Sequence, residues 1–148
     1  DRCFVLSDQQ NDHQMQQSMA LVKGFCYYNL GQYNQALDSY EQAIDLAVRF
    51  QDRLAEASAL SRKSAVLADL GNLEQALQTA QQGLQKAQDE NDQPLIGELQ
   101  ALLAFTYQDL DELEKAKKYT QAAVETYQFL EQDDQVKILN DMLEQLGK

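Results

Sequence analysis

At 148 residues the chain is one domain's worth of polypeptide, and 44% hydrophobic residues, one proline and six glycines leave room for a core and little for long irregular segments. Its net charge of −12 argues against nucleic acid and against an anionic membrane surface, because affinity for phosphate comes from Lys and Arg. It is compatible with a basic or apolar protein partner, or with solubility alone.

No window approaches the run of about 18 apolar residues that a membrane span needs, so no membrane insertion is expected. No signal peptide opens the chain. It starts Asp1-Arg2-Cys3 without a methionine, so a piece of a longer, cytoplasmic protein is expected. Cys3 and Cys26 do not read as a disulfide framework. Cys26, between Phe25 and Tyr27, is expected to be a buried free thiol.

Taken in order, residues 1–12 read as the end of a second helix from a preceding repeat. Phe4 stands forty residues before Ile44, and Leu6 forty before Leu46. Asn11-Asp12 aligns with Gln51-Asp52 and Asn91-Asp92, and the recurring Asp is suited to cap the helix that follows. Three helix pairs are then expected, over 13–50, 53–90 and 94–130. The first breaks at Asn29-Leu30-Gly31-Gln32, where Gly31 can take positive φ without a Cβ clash. Its second helix, from Tyr33, places Ala36, Leu37, Tyr40, Ala43, Ile44 and Ala47 on one face. Pro94 sits where a first-turn proline loses no helical hydrogen bond. The last segment, 135–146, carries Val136, Leu139, Met142, Leu143 and Leu146 on one face. It reads as a capping helix or as the first helix of a further pair.

The pattern recurs at a fixed forty-residue period. Leu30-Gly31 becomes Leu70-Gly71 and then Leu110-Asp111. Ala36 becomes Ala76 and Ala116, and Ile44 becomes Leu84 and Val124. Gly24, Ser64 and Ala104 form a column of small residues in the first helices. Tyr27, Leu67 and Tyr107 form a column of large ones. A repeat of this length predicts an all-α superhelix of stacked αα-hairpins forming one repeat domain over 1–148.

These residues resemble the tetratricopeptide repeat, with a small residue in the first helix, an aromatic three positions on, a Gly at the turn and alanines in the second helix. Gly24, Tyr27, Gly31, Tyr33, Ala36, Tyr40 and Ala43 match it best. The usual unit is 34 residues, and the forty-residue period is similar to the longer-helix variety of bacterial regulators, spindle-orientation adaptors and kinesin light chains. The resemblance implies a non-catalytic protein-interaction scaffold. The family's clamp for chaperone C-terminal carboxylates uses Lys and Asn on the concave face. Here those positions read Leu21 and Phe25, so that ligand is not expected.

No chemistry stands out beside the repeats. His13 has no second His or Cys at ligand spacing, so no metal is expected, and it reads as an exposed polar residue. No glycine-rich loop follows a strand, so no nucleotide cofactor is expected. Ser58, Ser61 and Ser64 lack a histidine base, and Asp69, Asp109 and Asp111 read as solvated acids. The expectation is therefore no enzyme and no cofactor.

The first helices of stacked pairs line the concave surface. The repeat register projects Leu21, Phe25, Tyr28 and Asn29 onto it from the first pair. The second pair adds Ser61, Ala65 and Asp69, and the third Glu98, Ala101, Phe105, Gln108 and Asp109. This set predicts an apolar groove with acids at its rim, suited to a peptide or helical segment with apolar anchors and net basic charge. The alternative is a regulatory or spacer segment of a larger protein whose enzymatic or DNA-binding module lies elsewhere. Self-association through an exposed repeat end is a third possibility.

Overall fold

The computed structural model describes the backbone of residues 2–147 and the side chains of residues 12–147. It contains seven α-helices and no strand among the described residues. They are α1 (Arg2–Asn29), α2 (Tyr33–Arg49), α3 (Arg53–Asp69), α4 (Leu73–Asp89), α5 (Gln93–Asp109), α6 (Leu113–Phe129) and α7 (Asp133–Leu146).

Every helix from α2 to α6 is 17 residues long, and every turn takes the same form. A residue in the left-handed region closes each helix from α1 to α6: Gly31 (φ 75°), Gln51 (55°), Gly71 (85°), Asn91 (54°), Asp111 (61°) and Glu131 (58°). Its N–H and that of the next residue return to carbonyls of the last turn. The Gly31 N–H donates to Tyr28 and the Gln32 N–H to Tyr27, at 3.0 and 2.8 Å, and the other five turns repeat the arrangement. This is the Schellman motif, which pairs carbonyls that a helix end otherwise leaves open. Gly31 and Gly71 reach the conformation at no steric cost. The forty-residue period is thus two twenty-residue units of one helix and one turn.

Asp52 and Asp92 cap the helices after the junction turns. Their carboxylates accept from the backbone N–H of Ala55 and Leu95, each at 3.1 Å. The same turn, expected at Asn11-Asp12, does not form, and α1 runs through it as one 28-residue helix. At the turn that does form, Ala47 and Ala57 on either side have no exposed surface, so burial holds the reversal. Beyond Asn11 the helix presents Asp12, Gln14, Met15 and Gln16 to solvent. Continuing the helix satisfies the same backbone N–H and C=O groups that the turn and cap pair at Gln51 and Asp52. The side chains of Cys3, Phe4 and Leu6 lie outside the described residues.

Successive helices pack as antiparallel neighbours. Contacts skipping one helix join α3 to α5 and α1 to α3, whereas the even helices make none comparable. The odd helices therefore crowd along the inner side of the superhelix. Between the layers, Ala36, Ala76 and Ala116 have no exposed surface. Ser64 is equally buried, and its hydroxyl donates to the Ala76 carbonyl at 2.7 Å. Larger groups fill the space around them. Leu99, Leu103 and Tyr107 pack with Ala80, Leu84 and Ala87 in one cluster, and Val124, Tyr127 and Leu139 form another under α7. Cys26, expected in the core, is exposed. His13, expected in solvent, is half-buried and stacks on the Phe50 ring at 3.7 Å between centroids.

Candidate interaction groove

The inner face holds a groove of about 290 Å³ with walls from α1 and α5 and a floor from α3. Phe25 and Tyr28 line it from α1. Ser61, Arg62, Ala65 and Val66 line it from α3, and Glu98, Ala101, Leu102 and Phe105 from α5. Of the residues projected from sequence, Phe25, Tyr28, Ser61, Ala65, Glu98, Ala101 and Phe105 come together here. Phe25 and Phe105 are 49% and 43% exposed on opposite walls, so two large apolar rings stand half wet on either side of the groove.

Asp69 joins through a hydrogen bond. The Tyr28 hydroxyl donates to its carboxylate at 2.5 Å, tying the end of α1 to the end of α3. That bond, with partial burial and the nearby negative charge, pushes the Tyr28 phenol up to about 12. Tyr28 is thus a strut as well as a wall. Leu21 lies in an adjoining recess with Val22, Phe25 and Arg62, and packs partly into the core. Asn29, Gln108 and Asp109 do not line the groove. They stand at the last residues of α1 and α5, with Asn29 and Asp109 exposed.

Five lining residues lie outside the projected set: Arg62, Val66 and Leu102 on the inner helices, and two from the other layer. Tyr40 of α2 and Tyr127 of α6 reach the groove where glycines in the inner helices leave space. A Cβ on Gly24 would stand 2.5 Å from the Tyr40 ring, and one on Gly97 would stand 3.2 Å from Tyr127. The sequence signal was available: a mid-helix glycine opposite a tyrosine on the next helix. Burial raises the pKa of both phenols, with the Arg62 charge opposing the shift at Tyr40 and Glu98 adding to it at Tyr127.

The charges are mixed. Arg62 stands exposed in the groove, and none of the ion pairs among the described residues includes it. Glu98 faces it from α5 and accepts from the Ser61 hydroxyl at 3.1 Å. Among the described residues no three His, Cys, Asp or Glu side chains gather where they could hold a metal ion. No described helix is long and apolar enough to cross a membrane.

Models of the tetratricopeptide repeat match residues 16–89 and 97–129. The chain belongs to the tetratricopeptide repeat family. No curated protein matches it. Among solved structures, this tetratricopeptide repeat (TPR) domain is similar to the TPR domain of Arabidopsis FLU, with 22% identity, 79% of this chain and 98% of that one covered, and a TM-score of 0.74. The TPR2B-domain:pHsp70 complex of yeast Sti1 matches at 16% identity over 90% of this chain and 97% of that one, with a TM-score of 0.76. Aspartyl phosphate phosphatase F from Bacillus subtilis matches at 16% identity and a TM-score of 0.80 over 88% of this chain, which spans only 34% of that protein. At these identities the likeness is one of fold.

Proposed function

We propose that this TPR domain is a non-catalytic scaffold that holds a segment of a partner protein in its inner groove. The observation that carries the reading is the pair Phe25 and Phe105, left wet on facing walls above a floor of Ala65 and Val66. Fully burying an exposed phenylalanine contributes roughly 1.5–3 kcal/mol, and covering the exposed half of each ring supplies about half of that, so the two together can anchor a short segment. Glu98 and Asp69 favour a segment with net basic charge, which speeds encounter and rejects acidic competitors more than it raises affinity. Arg62 and the tyrosine hydroxyls supply groups that orient a peptide backbone. A similar fold is found with pHsp70 in the Sti1 complex, but the clamp Lys and Asn are replaced here by Leu21 and Phe25, so a chaperone tail is not the ligand proposed.

The test is selection of binding peptides from a displayed library, followed by affinity measurement with Phe25→Ala and Phe105→Ala. Each variant should lose roughly 30-fold or more in affinity with its helical circular dichroism unchanged. Glu98→Gln should mainly slow association and weaken its salt dependence. Selected peptides that bind both alanine variants as well as the parent protein would remove the groove assignment.

A further inference from the structure

Two tyrosines that reach the inner groove from the outer layer keep a proton with nowhere to go. Tyr40 and Tyr127 are 2% and 8% exposed. Each ring meets an inner helix at a glycine, Gly24 or Gly97, and lines the groove. The hydroxyls of Tyr28 and Tyr107 have partners in Asp69 and Gln81. Those of Tyr40 and Tyr127 donate to no acceptor among the described residues. The sealed polar atoms without partners among those residues are His13 Nδ1 and Gln17 Nε2, so the two phenol oxygens open into the groove. A nearly buried hydroxyl normally finds a partner, and one left unpaired at a groove marks where a ligand's polar group belongs. Phenylalanine would fill the same space at Tyr40, and the next two copies of its position hold Ala80 and Thr120.

The charges beside the two hydroxyls differ. The Arg62 guanidinium reaches Tyr40, where it opposes the upward push of burial on the phenol. A guanidinium only donates, so the Tyr40 proton stays free and the two groups stand together as donors, which suits a carboxylate. Glu98 is the charge that reaches Tyr127, and its carboxylate accepts from the Ser61 hydroxyl at 3.1 Å. Neither Arg62 nor Glu98 belongs to an ion pair among the described residues. The groove thus has a donor end toward α1 and an acceptor end toward α5. Arg62 also departs from its column, since Val22 and Leu102 stand forty residues to either side. It lines the groove and also the adjoining recess of about 190 Å³ with Leu21, Val22 and Phe25, so apolar surface flanks it both ways.

We infer, resting on the groove as a peptide site, that the segment it holds carries one acidic side chain between two apolar anchors, and that Arg62 and the Tyr40 hydroxyl select that acid. The basic excess of the segment lies toward α5, over Glu98 and Tyr127, so the segment has one direction across the groove. The acid is internal. A C-terminal carboxylate at Arg62 would leave one of the two flanking apolar surfaces uncovered, whereas an Asp or Glu within the segment brings a neighbour to each. Covering Phe25 also removes water from around Arg62, which strengthens its bond to the carboxylate.

The probe is a displayed library of random peptides with free C-termini, selected in parallel on the parent protein and on Arg62→Glu. The parent should enrich an internal Asp or Glu flanked by apolar residues, and Arg62→Glu should enrich Lys or Arg in its place. Against the tightest parent peptide, Tyr40→Phe should lose about tenfold in affinity, with helical circular dichroism and urea midpoint unchanged because the hydroxyl donates to nothing in the fold. Arg62→Glu should lose tenfold or more, and exchanging the peptide's acid for lysine should restore binding to that variant. Tyr107→Phe, whose hydroxyl meets Gln81 outside the groove, should bind as the parent does. Peptides that need Phe25 and Phe105 but are indifferent to Arg62→Glu and Tyr40→Phe would overturn this inference and leave the groove standing. Peptides indifferent to all four would remove both. Enrichment of peptides whose only carboxylate is the C-terminus would also overturn it.

Discussion

Gly24 sets a balance between two local effects. Alanine in its place gains about 1 kcal/mol of helix propensity. The added methyl, however, would stand 2.5 Å from a Tyr40 ring that is 2% exposed and has nowhere to go. Overpacking of that kind costs about 1–3 kcal/mol, and at so short a separation the upper part of the range applies. Gly24→Ala should therefore destabilise the fold by about 1–2 kcal/mol in urea unfolding. Gly83→Ala, whose methyl would meet nothing closer than 3.2 Å, should stay near neutral as the two terms cancel. Tyr28 makes a different prediction. Its phenol is raised from its ordinary 10.0 to about 12, so the folded state holds that proton more tightly than the unfolded chain. The resulting stability is full below pH 10 and is lost as pH climbs from there through 12. Denaturant titrations across that window should show the parent protein losing stability more steeply than Tyr28→Phe. Parallel slopes would show that the bond to Asp69 stabilises nothing.

Among the helices, the terminating residues explain what could be read in advance. Gly31 and Gly71 announce their turns, and Asp111 follows by register. The intervening turns rest on Gln51, Asn91 and Glu131, of which only Asn91 favours the left-handed region; the breaks at 51 and 91 were legible from the Asp that follows each, and the twenty-residue unit inside the forty-residue one was not. Asp52 and Asp92 were legible as caps because an acid after a break has a specific use at a helix start. Asp12 shares their register, but there the helix runs on, and spacing alone does not tell a cap from an acid in mid-helix. Asp52→Ala and Asp92→Ala should each cost about 1 kcal/mol in thermal or chemical unfolding. Asp12→Ala, inside a continuous helix, should be neutral or slightly stabilising. A cost at Asp12 equal to that at Asp52 would mean that a cap forms there in solution.

Across the whole molecule, the layer order and the inner face were legible because periodicity decides which residues share a side. The walls Phe25 and Phe105 followed directly. Tyr40 and Tyr127 did not, because projecting one layer ignores what reaches through it, and Asn29, Gln108 and Asp109 stand at helix ends beyond the groove's lining. Stability should be distributed as in a one-dimensional stack, in which each helix is supported only by its neighbours. Amide exchange should be slowest in α3, α4 and α5 and faster in α7, where only Leu139 and Met142 are buried. Uniform protection along the chain would instead indicate a single cooperative unit.

The equal length of α2 to α6 and the shared form of their turns have a mechanical consequence. Each hairpin closes onto a neighbour of the same size, and the contacts joining it to the rest lie at one boundary. Pulled from its two ends, such a molecule should not rupture once at high force. It should pay out slack in a sawtooth of near-equal increments, each releasing a hairpin, as a gauge marked in regular divisions would.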